Sequence, residues 1–112
     1  MAGLHRILVL GGGLPAYFEA SEQEKREVFL PRFRALLAEW EKLGAKVIAS
    51  FCDDVLQVGP TSWAWYLIFE VDELETVAKM IERVRTEVDG VRLDRYVRFE
   101  ARVGRPFWAR EE

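Results

Sequence analysis

From Leu4 to Leu10 the chain is a run of branched apolar residues broken only by His5 and Arg6, and it stops at Gly11, Gly12 and Gly13. Such a run reads as a central strand ending at a glycine corner. Ser21 and Glu24 then form a capping box, in which each side chain bonds the other residue's free backbone N–H, so a helix is expected to begin there. Phe29, Phe33, Leu36, Leu37 and Trp40 recur at helical spacing, and Gly44 closes the pattern where a left-handed residue is favoured. Pro31 lies inside this helix. It lacks an N–H and crowds the preceding turn, which predicts a kink or two abutting segments near Leu30.

Lys46 to Phe51 reads as a short strand and Cys52-Asp53-Asp54 as a turn, after which Val55 to Trp63 offers a hairpin extension up to the Gly59-Pro60 corner. Ala64 to Val71 is apolar on both faces, the pattern of a central strand covered on both sides. A second helix is expected from Asp72 as its cap, with Glu75 at the box position. Its stripe is Leu74, Val77, Ala78, Ile81, Val84 and Val88, and Gly90 ends it. From Val91 to Val103, Leu93, Val97, Phe99, Ala101 and Val103 point one way while Tyr96, Arg98, Glu100 and Arg102 point the other, a last strand with a bulge near Arg95.

The order strand, helix, strand, strand, helix, strand predicts an α+β, ferredoxin-like βαββαβ fold: a four-stranded antiparallel sheet with two helices on one face. Residues 1–112 form one such domain, with 104–112, carrying Phe107 and Trp108, as a C-terminal arm. The other sheet face would show Leu8, Leu10, Tyr66 and Ile68 beside the row Tyr96, Arg98, Glu100, Arg102. Bare apolar sheet of that extent rarely faces water. A two-fold homodimer of the dimeric α+β barrel kind is therefore expected, the charged row pairing across it or lining an internal cavity.

Composition narrows the function classes. A chain of 112 residues, half of them hydrophobic, holds one core, too small for a dinucleotide fold with a substrate domain. The net charge of −3 and the lack of a dense Lys/Arg block argue against nucleic acid, and no apolar run is long enough to span a membrane. Cys52 is alone, so neither a disulfide framework nor a zinc site is expected, and a reducing, cytoplasmic location fits.

Gly11, Gly13 and Ala16 fit the G-x-G-x-x-G/A fingerprint of a pyrophosphate cradle, but Pro15 intervenes and the helix signal waits until Ser21. The glycines read better as a strand end that swings Tyr17 and Phe18 over a ligand cavity. Trp63, Trp65 and Tyr66 supply the flat apolar surface of a ligand pocket if they are not simply core; Trp63 and Trp65 share one strand face by period two. Arg98 and Arg102 flank Glu100 on one face, as an interface salt-bridge ladder or as a bidentate grip on a substrate carboxylate. His5, the one histidine, is the one evident general base, set against an ordinary role at a strand end. Asp53 and Asp54 fit a turn. No metal-ligand spacing and no flavin or haem signature occurs, so no cofactor and no metal are expected.

At CDDVLQVGPTSWAWYLIFEVDELETV and again at RFEARVGR the chain resembles small proteins of the IacB type. The matching positions are Asp53-Asp54, Val58-Gly59-Pro60, the strand from Trp65 to Val71, and Glu100 to Arg105. The resemblance implies a dimeric α+β barrel associated with bacterial indole-3-acetate breakdown, in an accessory or catalytic role in aromatic-compound metabolism. It supplies no catalytic residue. The sequence thus points to a homodimer binding an aromatic or hydrophobic, anionic small molecule, whose chemistry, if any, is a cofactor-independent oxygenase or isomerase step. The competing reading is a non-catalytic accessory or interaction module.

Overall fold

The computed structural model describes residues 5–59, 62–106 and 109. Strands β1 (His5–Gly13), β2 (Lys46–Cys52), β3 (Trp65–Val71) and β4 (Val97–Gly104) form one sheet in the order β2-β3-β1-β4, every neighbouring pair antiparallel. The helices are α1 (Pro15–Glu19), α2 (Glu22–Glu24), α3 (Leu30–Leu43) and α4 (Leu74–Arg85). This is the ferredoxin-like α+β arrangement.

Ser21 caps α2 as expected, its hydroxyl accepting from the Glu24 N–H at 3.0 Å. Between α2 and α3 the chain makes a π-helical turn at Lys25–Phe29, closed by the Leu30 N–H reaching back to the Lys25 carbonyl. Pro31 explains its place: a proline has no N–H to donate and its ring crowds the carbonyl four residues back, so the wider turn accommodates it and meets α3 at Leu30, the two abutting segments of the sequence expectation. Gly44 ends α3 in the left-handed conformation, φ 111°.

Several boundaries differ from the sequence reading. β1 does not stop at Leu10 but runs through all three glycines, and Pro15 opens the short α1 at a favoured first-turn position, before Ser21. The N-cap of α4 is Glu73, without a side-chain cap, and the helix ends at Arg85. Asp89 (φ 53°) and Gly90 (φ 80°) then make a tight turn closed by paired hydrogen bonds between Val88 and Val91. Residues 53–59 and 62–64 form a loop and do not extend the β2–β3 hairpin. The proposed 104–112 arm lies largely outside the described residues, as do Phe107, Trp108 and Pro60.

Register decides what each sheet face shows. Ile7 sits opposite Phe69 and Val103, Val9 opposite Leu67 and Ala101, and Gly11 opposite Trp65 and Phe99. These odd-numbered positions face the helices, and Ile7, Val9, Phe69, Val71 and Val97 form the core with Leu36 and Trp40 of α3 and Val77, Met80 and Val84 of α4. The buried Trp40 indole N–H donates to the Met80 carbonyl at 3.0 Å, tying α3 to α4.

A second tie between these helices is ionic. Glu39 on α3 accepts from Arg83 of α4 at 2.8 Å and from the buried Arg32 at 3.1 Å. The Arg83 hydrogen bond, with Arg32 adding, holds the Glu39 carboxyl below its ordinary value. A depressed carboxyl stabilises the fold above its unfolded value, near about 4.3, and loses that contribution as pH falls through the folded value. Denaturant midpoints measured against pH are therefore expected to fall on the acid side of that range in the parent protein. In Glu39→Gln that part of the acid slope is absent.

Candidate functional site

Three regions hold the residues singled out from sequence, and the fold keeps them apart. On the helix-covered face, Trp65 lies over Gly11, where a side chain of any size would overlap its indole ring. Phe33 from α3 and Phe99 from β4 pack on the same ring, at 5.3 and 5.8 Å between centroids. Trp65 is thus a filled part of the interior and not the floor of a pocket.

Trp63 is not beside it. It precedes β3, where strict alternation does not hold, and stacks with the Arg98 guanidinium, 4.4 Å from its ring centroid, over Gly12. Arg98 also donates to the Ser62 carbonyl at 2.7 Å. The shared face expected for Trp63 and Trp65 is therefore corrected: a period of two cannot be carried past the end of a strand.

The helix-free face carries Leu8, Leu10, Tyr66 and Ile68, all half-buried, with Phe51 of β2 stacked on Tyr66 at 5.4 Å. Glu100 and Arg102 lie along its β4 edge, paired with each other at 3.1 Å, and Arg6 pairs with Glu70 at 2.9 Å nearby. Arg98, Glu100 and Arg102 do share this face, but Tyr96 does not. A 3-10 turn at Leu93–Arg95 resets the phase, and Tyr96 is buried on the helix side against Phe29. Its hydroxyl donates to the Glu24 carboxylate at 2.8 Å, which, with burial, holds the phenol above its ordinary value.

His5 stands opposite Val71 at the far end of β1, seven residues from Gly12, roughly 23 Å at about 3.3 Å per residue. It is not brought to Trp63, Arg98 or Tyr66. Tyr17 and Phe18 sit on α1: Tyr17 packs edge-on against Phe29, with Lys25 over its ring, while Phe18 is mostly exposed beside Gly13. Neither lines the cleft described next.

Open space between sheet and helices occurs at the α4–β4 edge. A cleft of about 470 Å³ is lined by Leu14, Ile81, Val84, Val97, Phe99 and Ala101, with Arg85 and Asp94 at its rim and Arg98 bordering it. It shares Ile81, Val84, Phe99 and Ala101 with a small apolar void of about 40 Å³ that runs inward to Ile7, Val9, Trp40 and Met80. Asp94 is engaged by Arg92 in two hydrogen bonds of 3.1 and 2.7 Å and Arg98 by Trp63 and the Ser62 carbonyl, which leaves Arg85 as the cation at the rim with neither of these ties. Sequence reading placed Ile81 and Val84 on a helix stripe and passed over Arg85. The one available signal was an arginine in the last turn of α4 next to that stripe. Among the described residues no group of His, Cys, Asp or Glu is arranged to hold a metal, and no helix is long and apolar enough to cross a membrane.

No family model and no curated protein matches the chain. Among solved structures it is similar to RPA0582 of Rhodopseudomonas palustris, a protein of unknown function, with a TM-score of 0.64 and 21% identity over 96% of this chain and 85% of that one. Methylated RPA0582 gives a TM-score of 0.66 and 21% identity over 99% and 86%. An uncharacterized NIPSNAP-like domain protein of Burkholderia xenovorans gives a TM-score of 0.46 and 15% identity over 100% and 92%. At these identities the likeness to RPA0582 is one of fold, and the ferredoxin-like α+β fold is what this chain shares with it.

Proposed function

We propose that the chain is a homodimeric small-molecule-binding protein whose ligand has an apolar, aromatic body and an anionic end, and enters between α4 and β4. The observation that carries this reading is the cleft. Its volume of about 470 Å³ lies in the range of ligand pockets, its floor is apolar, and Arg85 stands at its rim while Arg98, which also borders it, is held by Trp63 and the Ser62 carbonyl. An aromatic ring seated on Ile81, Val84 and Phe99 would leave a carboxylate within reach of Arg85. Dimerisation through the helix-free face would cover Leu8, Leu10, Tyr66, Ile68 and Phe51, with the Arg98–Glu100–Arg102 row at its border. The resemblance to IacB-type proteins fits a ligand from aromatic-compound metabolism. His5 lies too far along β1 to serve as a base at Arg98, so binding, rather than catalysis, is the role the residues support.

Calorimetric titration with indole-3-acetate and phenylacetate, each beside its neutral amide, tests the reading. Binding of the acids is expected to weaken about tenfold in Arg85→Ala while binding of the amides is unchanged. Ala101→Phe, which fills the cleft, is expected to abolish both. Absence of heat with every compound, or equal loss of acid and amide in Arg85→Ala, would overturn it.

A further inference from the structure

The loop between β2 and β3 turns its apolar side chains away from its own fold. Val55, Leu56 and Val58 are 94%, 78% and 93% exposed, against a core in which residues of the same types are buried. This is not a loose segment with nothing to hold it. The Gln57 side chain donates to the Asp53 carbonyl at 2.6 Å and to the Trp63 carbonyl at 2.7 Å, and accepts from the Trp63 N–H at 3.1 Å. Below it the Asp53 N–H bonds the Ala64 carbonyl and the Ala64 N–H bonds Gly11. A single amide thus staples both legs of the loop while three apolar side chains stay in water, an exposure that burial against a partner would relieve.

We infer that this loop is a preformed clasp for a second copy of the chain. The inference rests on the dimer proposed above and extends it beyond the sheet face. Two observations select that occupant. First, the base of the loop is anchored at the bare sheet face, where Arg98 stacks on Trp63 and donates to the Ser62 carbonyl. Second, its foot carries the two acids Asp53 and Asp54, while the β4 border of the bare face carries Arg98, Glu100 and Arg102, which is net positive even with Glu100 paired to Arg102. A copy laid face to face can bring these opposite charges together, whereas the two aspartates oppose docking on an anionic membrane. The four strands, at about 4.8 Å spacing and 3.3 Å per residue, present a patch of roughly 500 Å² in projection. The clasp supplies further area where the sheet ends.

The test is the dimer dissociation constant, measured by sedimentation velocity over a dilution series of the full chain. The variants are a triple Val55→Ser, Leu56→Ser, Val58→Ser, the staple variant Gln57→Ala, the sheet-face variant Ile68→Lys, and Val28→Ser on the helix layer as control. The triple variant is expected to dissociate roughly 100-fold more readily with an unchanged circular dichroism spectrum, and Gln57→Ala more readily than Val28→Ser. A dimer that Ile68→Lys breaks and the triple variant leaves intact overturns the clasp and spares the dimer. A parent protein that is monomeric at every concentration overturns both. So does a monomer that pellets with phosphatidylcholine vesicles through Val55, Leu56 and Val58, since the loop then serves a bilayer.

Discussion

Trp40→Ala is expected to lower the free energy of unfolding by about 3–5 kcal/mol, read from guanidinium unfolding followed by far-UV circular dichroism at one fixed protein concentration. Trp40 is 2% exposed and meets Phe69 edge-on at 5.4 Å, so truncation removes a large aromatic contact between α3 and the centre of the sheet. Its N–H also reaches Met80 of α4, and no alanine replaces that tie. The small apolar void already bordering Trp40 would merge with the new cavity, which limits collapse and puts the loss at the upper end of the range. Trp40→Phe keeps most of the ring but not the hydrogen bond. It is expected to cost about 1–2 kcal/mol, which separates packing from the polar tie. A loss below about 1 kcal/mol for Trp40→Ala would show that α3 and the sheet do not depend on this contact.

Gly11→Ala is the second. In an ordinary strand the change favours folding, because glycine gives up more backbone freedom than alanine, by roughly 0.5–1 kcal/mol. Here the added methyl would overlap the Trp65 indole, which is packed against Phe33 and Phe99 and could move aside only by breaking those contacts. Overpacking wins, and a net loss of about 1–3 kcal/mol is expected. Gly12→Ala makes the contrast. Its new methyl would come 3.3 Å from the end of the Arg98 side chain, a flexible group on the exposed face, so little change is expected. A double-mutant cycle with Trp65→Leu checks the cause: in that background Gly11→Ala is expected to lose most of its penalty. If the penalty persists, the strain lies in the backbone of β1 and not in the indole.

These two sites also show how far the sequence could be read. β3, the alternation along β4 and the cap at Ser21 were legible because each is a local pattern with a period or a pair of named residues. Gly11 was not, since an apolar run that stops at glycines looks like a strand end. It is strand because it pairs with Trp65 and Phe99 on both sides, and glycine because an indole from a distant part of the chain lies where its side chain would be. The roles of Trp63 and Trp65 were lost for a related reason, a face assigned by counting beyond the residues that are extended. Tyr96 was misassigned because a 3-10 turn, invisible in the apolar pattern, shifts the count. Arg85 and the cleft depend on how far α4 stands off the edge of β4, a tertiary distance that no local spacing encodes.

The wide turn at Lys25–Phe29 changes the angular bookkeeping of the first long helical segment. In an uninterrupted α-helix each residue advances about 100°, so Glu24 would point about 120° away from Leu36. Counting one residue of the wide turn as surplus brings that difference down to about 20°. A polar residue near the start of the segment and an apolar one in its middle can then be aimed at the same side of the domain. Glu24 meets the buried Tyr96 hydroxyl there, while Leu36 enters the core. The segment behaves as two rotors locked at an offset, and Pro31 sits next to the setting that fixes the offset.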